Sequence, residues 1–93
     1  MDFSIVTKAG ISQVNFAKVI GVSRVSVCKW MTGKASPHLL HARRIKQLLS
    51  AIELAVEDGD LPLPAGMEPG AAIKRIKHII VEKVKKVKAA EEA

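Results

Sequence analysis

The sequence predicts an all-α fold of four to five helices, with a further amphipathic helix beyond a Pro/Gly linker. Three observations predict it. Apolar residues recur at three- and four-residue steps along most of the chain, which puts them on one side of a helix. Ser or Asp opens, and Gly closes, a succession of short segments, the punctuation expected of helix caps. The chain is 48% hydrophobic, but Phe3, Phe16 and Trp30 are its only aromatics and it has no Tyr. Its core is therefore built mainly of Val, Ile, Leu and Ala.

Each element follows from its punctuation. Asp2 can cap a helix across Phe3 to Ala9, with Gly10 as the stop. Ser12 can cap a second that runs to about Ile20 and stops at Gly21, and Ser23 a third that continues through Met31 to the Thr32–Gly33 pair. Ser36–Pro37 is a start signal of the N-cap and first-turn proline kind. Beyond it Leu39, Ala42, Ile45, Leu48, Leu49, Ile52, Ala55 and Val56 predict one long helix ended by Gly59.

Charge divides the chain into three parts: a domain at 1–57, a linker at 58–70 and a basic segment at 71–93. The first holds eight Lys/Arg against three acids, the second three acids and no base, and the third seven bases against three acids. The linker, "DGDLPLPAGMEPG", carries three of the four prolines and three of the six glycines, which favour turns and extended chain over helix. In 71–93, Ile73, Ile76, Ile80, Val84 and Val87 fall on one helical side, and Glu82 and Lys86 stand at a favourable i,i+4 spacing. The β-branched content leaves a strand open as well. Three fates are open to this stripe: docking on the chain's own core, pairing with a second protomer as a dimerisation element, or a mobile basic tail.

At 93 residues with one small core, a large substrate cavity is not expected. A formal charge of +6 and a pI near 9.8 favour a polyanionic partner. A single cysteine cannot form an internal disulfide, the start "MDFSIVTKAG" lacks the pattern of a signal peptide, and no apolar run approaches the roughly 18 residues of a bilayer span. A cytoplasmic location with no membrane partner is the expectation. Nothing resembles a nucleophile elbow, a paired-carboxylate site or a phosphate loop, so an enzyme is not expected, nor any catalytic residue or cofactor. His38 and His41 stand at i,i+3 without a second ligand pair, so no metal site is expected; the pair reads as flanking a helix start.

The chemistry is concentrated in "SQVNFAKVIGVSRVSVCKWMTGKASP". Two short helices joined by "IGVS" make a helix-turn-helix, in which Gly21 accepts a left-handed turn and Ala17 allows a close crossing. Val14, Val22, Val27 and Trp30 are expected to face inward. In these residues, together with Gln13 at the start of the second helix and Gly33-Lys34 followed by Pro37, the sequence resembles the lambda-repressor-like, or Cro-type, helix-turn-helix family over about residues 3–57.

The resemblance implies that the third helix enters the major groove. Arg24 matches a base-reading position and can hold guanine O6 and N7 together, Val25 can meet a thymine methyl, and Cys28 and Lys29 match the next groove-facing positions. Gln13, Ser23, Ser26, Thr32 and Lys34 are expected to contact the DNA backbone, holding register rather than reading sequence. Arg43, Arg44 and Lys46 form either a solvated face or an extra electrostatic contact.

The sequence departs from the family in two ways. Many relatives open the recognition helix with Gln or Ser where Arg24 stands, and most have two short helices after the proline where the periodicity here suggests one long helix or a fused pair.

The function these readings predict is a sequence-specific double-stranded DNA-binding regulator, similar to the small Cro-type phage repressors. It would occupy an operator as a homodimer, and its release would follow protein concentration rather than an inducer. The competing reading is an antitoxin-like or adaptor module whose C-terminal segment binds another protein while the helix-turn-helix autoregulates. Binding of that segment to an anionic membrane surface is weaker, since its apolar side lacks Trp or Phe anchors.

Overall fold

A short helix in water is marginal unless its ends are satisfied, and here most ends are. The computed structural model describes residues 2–64 and 66–92, the side chain of Glu92 apart, so that Ala65 of the linker and Ala93 of the C-terminal segment lie outside the described residues. Its first helix, α1 (Ser4–Lys8), is little more than one turn, started by the Ser4 N–H donating to Asp2 Oδ1 at 2.8 Å. Helices α2 (Gln13–Ile20) and α3 (Arg24–Met31) follow extended N-cap serines. Ser12 Oγ accepts from the Asn15 N–H at 3.1 Å and Ser23 Oγ from the Ser26 N–H at 3.2 Å.

Between them the chain must reverse within three residues. Gly21 does this at φ +84°, and its N–H and that of Val22 both donate to the Ala17 carbonyl, at 2.8 and 3.1 Å. A Cβ on Gly21 would meet nothing within 4 Å. Glycine is required there by backbone conformation rather than by space.

Helix α4 (Leu39–Glu57) starts two residues later than the Ser36–Pro37 signal predicts. Pro37 is buried, and extended His38 is the N-cap, its Nδ1 accepting from the Leu40 N–H at 3.2 Å. Helix α5 (Pro69–Glu92) opens on a proline, whose missing N–H costs nothing in a first turn. There is no strand among the described residues, so the C-terminal segment is a helix.

One core unites these elements. Phe16, Ile45, Ile52, Val6 and Val27 are its largest fully buried side chains, and Ile76, Ile79 and Ile80 of α5 belong to the same cluster, with Leu61 of the linker. Helix α4 packs most extensively against α5, and α1 also rests on α4. The radius of gyration, 12.8 Å, is close to the roughly 12 Å of a compact chain of this length. No described helix is long and apolar enough to cross a membrane.

Several inward assignments need correction. Val14 and Val22 are 38% and 37% exposed, because each stands in the first turn of a helix or in the turn itself, at the edge of the core. Trp30 is half-buried, its ring stacked on Phe3 at 6.0 Å between centroids, while Phe3 meets Phe16 edge-on at 6.2 Å. Leu39 is 89% exposed, since the first turn of α4 projects beyond the body. On α5 the buried stripe is Ile76, Ile79, Ile80 and Lys83, with Ile73, Val84 and Val87 at its margins.

A cation on a buried stripe must be paired. Lys83 Nζ reaches Asp58 Oδ2 at 2.5 Å and Asp60 Oδ2 at 3.0 Å, both in the turn after α4. These hydrogen bonds hold the Lys83 ammonium well above its ordinary value of 10.5 and, from the other side, hold the Asp58 carboxyl below its ordinary 3.8. The stabilisation from Asp58 is present above 3.8 and lost as pH falls through its lower folded value. That from Lys83 is present below 10.5 and lost as pH rises beyond it.

Thermal unfolding should therefore show a plateau of Tm across neutral pH with a fall at both ends, and Lys83→Met should lower the plateau and flatten the acidic limb. Gly21→Ala should cost about 1–2 kcal/mol in urea unfolding, the strain of a left-handed Cβ residue, whereas Phe16→Ala should cost about 3–5 kcal/mol through the cavity it leaves.

Candidate nucleic-acid interface

The phase of α3 is set by one residue. Val27 is fully buried, and at about 100° per residue Arg24, Val25, Cys28 and Lys29 fall within one arc of roughly 140°, from about 60° to about 200° away from it. All four are exposed, Val25 to 63%. Val25 supplies an apolar contact point between two cations.

These side chains do not stand alone. A shallow depression is lined by Gln13, Arg24, Val25, Cys28, Lys29, Thr32 and Lys34. It therefore brings together all four residues assigned to base reading and three of the five assigned to the backbone. No carboxylate lines it, and among the described residues none of its three cations takes part in a salt bridge. Lys34 is held at the rim by the chain reversal after α3, where its N–H donates to the Lys29 carbonyl at 2.9 Å. Gln13 begins α2, where the first N–H groups of a helix have no intrahelical acceptor and favour an anion.

The hydroxyls are placed differently. Ser23 and Ser26 do not line the depression; their Oγ atoms are 3.0 Å apart and joined by a hydrogen bond, and Ser23 Oγ also caps α3. One proton of the pair remains for an outside acceptor. Thr32 lines the depression, but its Oγ1 donates to the Cys28 carbonyl at 2.8 Å and lies 3.3 Å from that of Lys29. In this rotamer it offers a phosphate only lone pairs. Of the backbone-contact set, Gln13 and Lys34 have no side-chain hydrogen bond among the described residues, and the Ser23–Ser26 pair keeps the one proton.

Among the three cations of α4, Arg43 faces Glu91 of α5, with Nη2 3.8 Å from Oε2, and Gln47 donates to the same oxygen at 2.8 Å. This partly neutralises Arg43, which the sequence could not foresee because the pair spans the linker. His38 Nδ1 is occupied as a helix cap, and His38 and His41 meet edge-on at 6.4 Å. Sequence reasoning also missed Leu39 and Leu40, 89% and 83% exposed at the start of α4.

No family model, curated protein or solved structure matches this chain. The resemblance stated from "SQVNFAKVIGVSRVSVCKWMTGKASP" thus rests on its residues alone.

Cys28 is a free, exposed thiol at the centre of this face. It should react with a thiol-specific disulfide reagent to one equivalent in the native protein, at the same rate below and above the onset of urea unfolding.

Proposed function

We propose that the chain is a sequence-specific double-stranded DNA-binding transcriptional regulator of the Cro-like type, with α2 and α3 as its helix-turn-helix and α3 as its reading helix. One observation carries the reading. Arg24, Val25, Cys28 and Lys29 share a single exposed face of a helix seated by Val27, and that face is continuous with Gln13 and Lys34 at its edge. This is the division of labour that groove recognition needs: a guanidinium fork and an apolar group for base edges, with donors beside them for phosphate.

On this reading Arg24 holds a guanine through two hydrogen bonds and Val25 meets a thymine methyl. Lys29 reaches a base or a phosphate one turn further on. A single eight-residue helix spans only a few base pairs, so the protein acts as a two-fold dimer that places two reading helices about 34 Å apart on one side of the duplex. Occupying an operator that overlaps a promoter, it represses by excluding polymerase. Its place is the cytoplasm, on the nucleoid.

An antitoxin-like or adaptor role in which the apolar stripe of the C-terminal segment is itself given over to a partner has less support, because Ile76, Ile79 and Ile80 of that stripe are buried in the chain's own core.

Selection from random duplexes should return a palindromic or near-palindromic site. Arg24→Ala should then lose about 1–3 kcal/mol of preference for that site over a scrambled duplex, while Lys34→Ala should weaken both alike and shallow the salt dependence by about one unit of slope. The selected duplex should also protect Cys28 from the thiol reagent. An unenriched pool, or a preference unchanged by Arg24→Ala, overturns the assignment.

A further inference from the structure

A second surface shares no residue with the α3 face. Between α2, α4 and α5 runs a groove whose floor is aliphatic, made by Val19, Leu48, Ile80, Val81 and Val84. Its rim carries Arg44, Lys77, Lys85 and Lys88, and among the described residues no carboxylate lines it, Glu91 standing beyond its end in the adjoining depression that shares Arg44 and Lys88. Val81, at 55% exposure, stands in it with its methyl groups open to water. Lys77, Val81, Val84, Lys85 and Lys88 repeat at the spacing of one helical face, so α5 presents a strip in which apolar and cationic groups alternate along one side.

We propose that this groove is a docking site for an acidic amphipathic helix of a partner protein. From Lys77 to Lys88 the strip is about 16 Å long at 1.5 Å per residue, the length of three turns, which suits apolar anchors at i, i+4 and i+7 of a helix laid alongside. The floor takes those anchors, and four cations with no acid among them select glutamates and aspartates on the flanks of the same helix. A second copy of this chain fits badly, since it brings a net charge of +6 to an already cationic rim. Duplex DNA makes use of the rim but not of the floor. The aliphatic bottom is what distinguishes the proposal from a further phosphate contact.

The probe is a fluorescein-labelled peptide of about four helical turns, with Leu at i, i+4, i+7 and i+11 and Glu and Ala elsewhere. A scrambled peptide of the same composition and one with Lys for Glu serve as controls. Fluorescence anisotropy with the full chain should show binding of the patterned peptide alone. Val81→Glu should weaken it by at least about tenfold, because it sets a carboxylate among the peptide's acids and removes an apolar contact. Methyl resonances of Val81, Val84 and Leu48 should shift on titration. Lys77→Glu and Lys85→Glu, both at exposed positions, should act in the same direction and stand in if Val81→Glu loses helicity by circular dichroism.

Equal binding of the scrambled peptide, or no effect of Val81→Glu or of the lysine variants, overturns the proposal. So does a wild-type dimer in sedimentation that Val81→Glu dissociates, which assigns the groove to a second copy, or displacement of the peptide by duplex of unrelated sequence with methyl shifts absent. Arg24→Ala should leave peptide binding unchanged and Val81→Glu should leave operator binding unchanged, so the two surfaces fail or stand separately.

Discussion

Ile45, Ala51, Ile52 and Ala55 of α4 are all essentially removed from solvent, which a helix achieves only when it is covered on more than one side. The two alanines let neighbouring backbones approach, and α1 and α5 both pack on this helix. A chain of 93 residues has little apolar surface to spend, and without Ile76, Ile79 and Ile80 this helix would expose a face that nothing else in the molecule can cover. The position of α5, and through the shared core the seating of α2 and α3, thus depends on α4 being enclosed. The ion pairs from Lys83 to Asp58 and Asp60 fix the return path, tying the exit of α4 to the middle of α5.

How much of this was readable from residues alone depends on the range of the interaction. The caps at Ser12 and Ser23, the left-handed turn at Gly21 and the end of α4 near Gly59 act within a few residues, and they appear where the sequence puts them. The register of α5 was read less well. Its stripe contains Lys83, which hydropathy excludes from a core face, and its acidic partners lie some two dozen residues upstream, across the linker. Val14 and Val22 were assigned inward by residue type. Only the completed packing shows that the core ends before it reaches them.

The proposed reading face shows the same division. The resemblance alone grouped Arg24, Val25, Cys28 and Lys29, and all four are exposed on the helix that Val27 seats. The state of the hydroxyls could not be read in this way. Ser23, Ser26 and Thr32 are short side chains beside orphan backbone groups, and in each the local hydrogen bond competes with an outside partner. The α2–α4–α5 groove was hidden for a simpler reason: its residues come from three helices, and no single segment displays both the aliphatic floor and the basic rim.

The stacking of Trp30 on Phe3 has a practical consequence. Trp30 is the chain's sole indole, there is no Tyr to obscure it, and it lies on α3, one residue beyond Lys29 and two beyond Cys28. Its ring joins α3 to Phe3 at the start of α1, half in the core and half in water. All the intrinsic fluorescence of the protein therefore originates at the back of one helix. Emission wavelength and quenching become a label-free gauge of whether that helix is seated, readable in the same cuvette during unfolding and during titration with any ligand of its outer face.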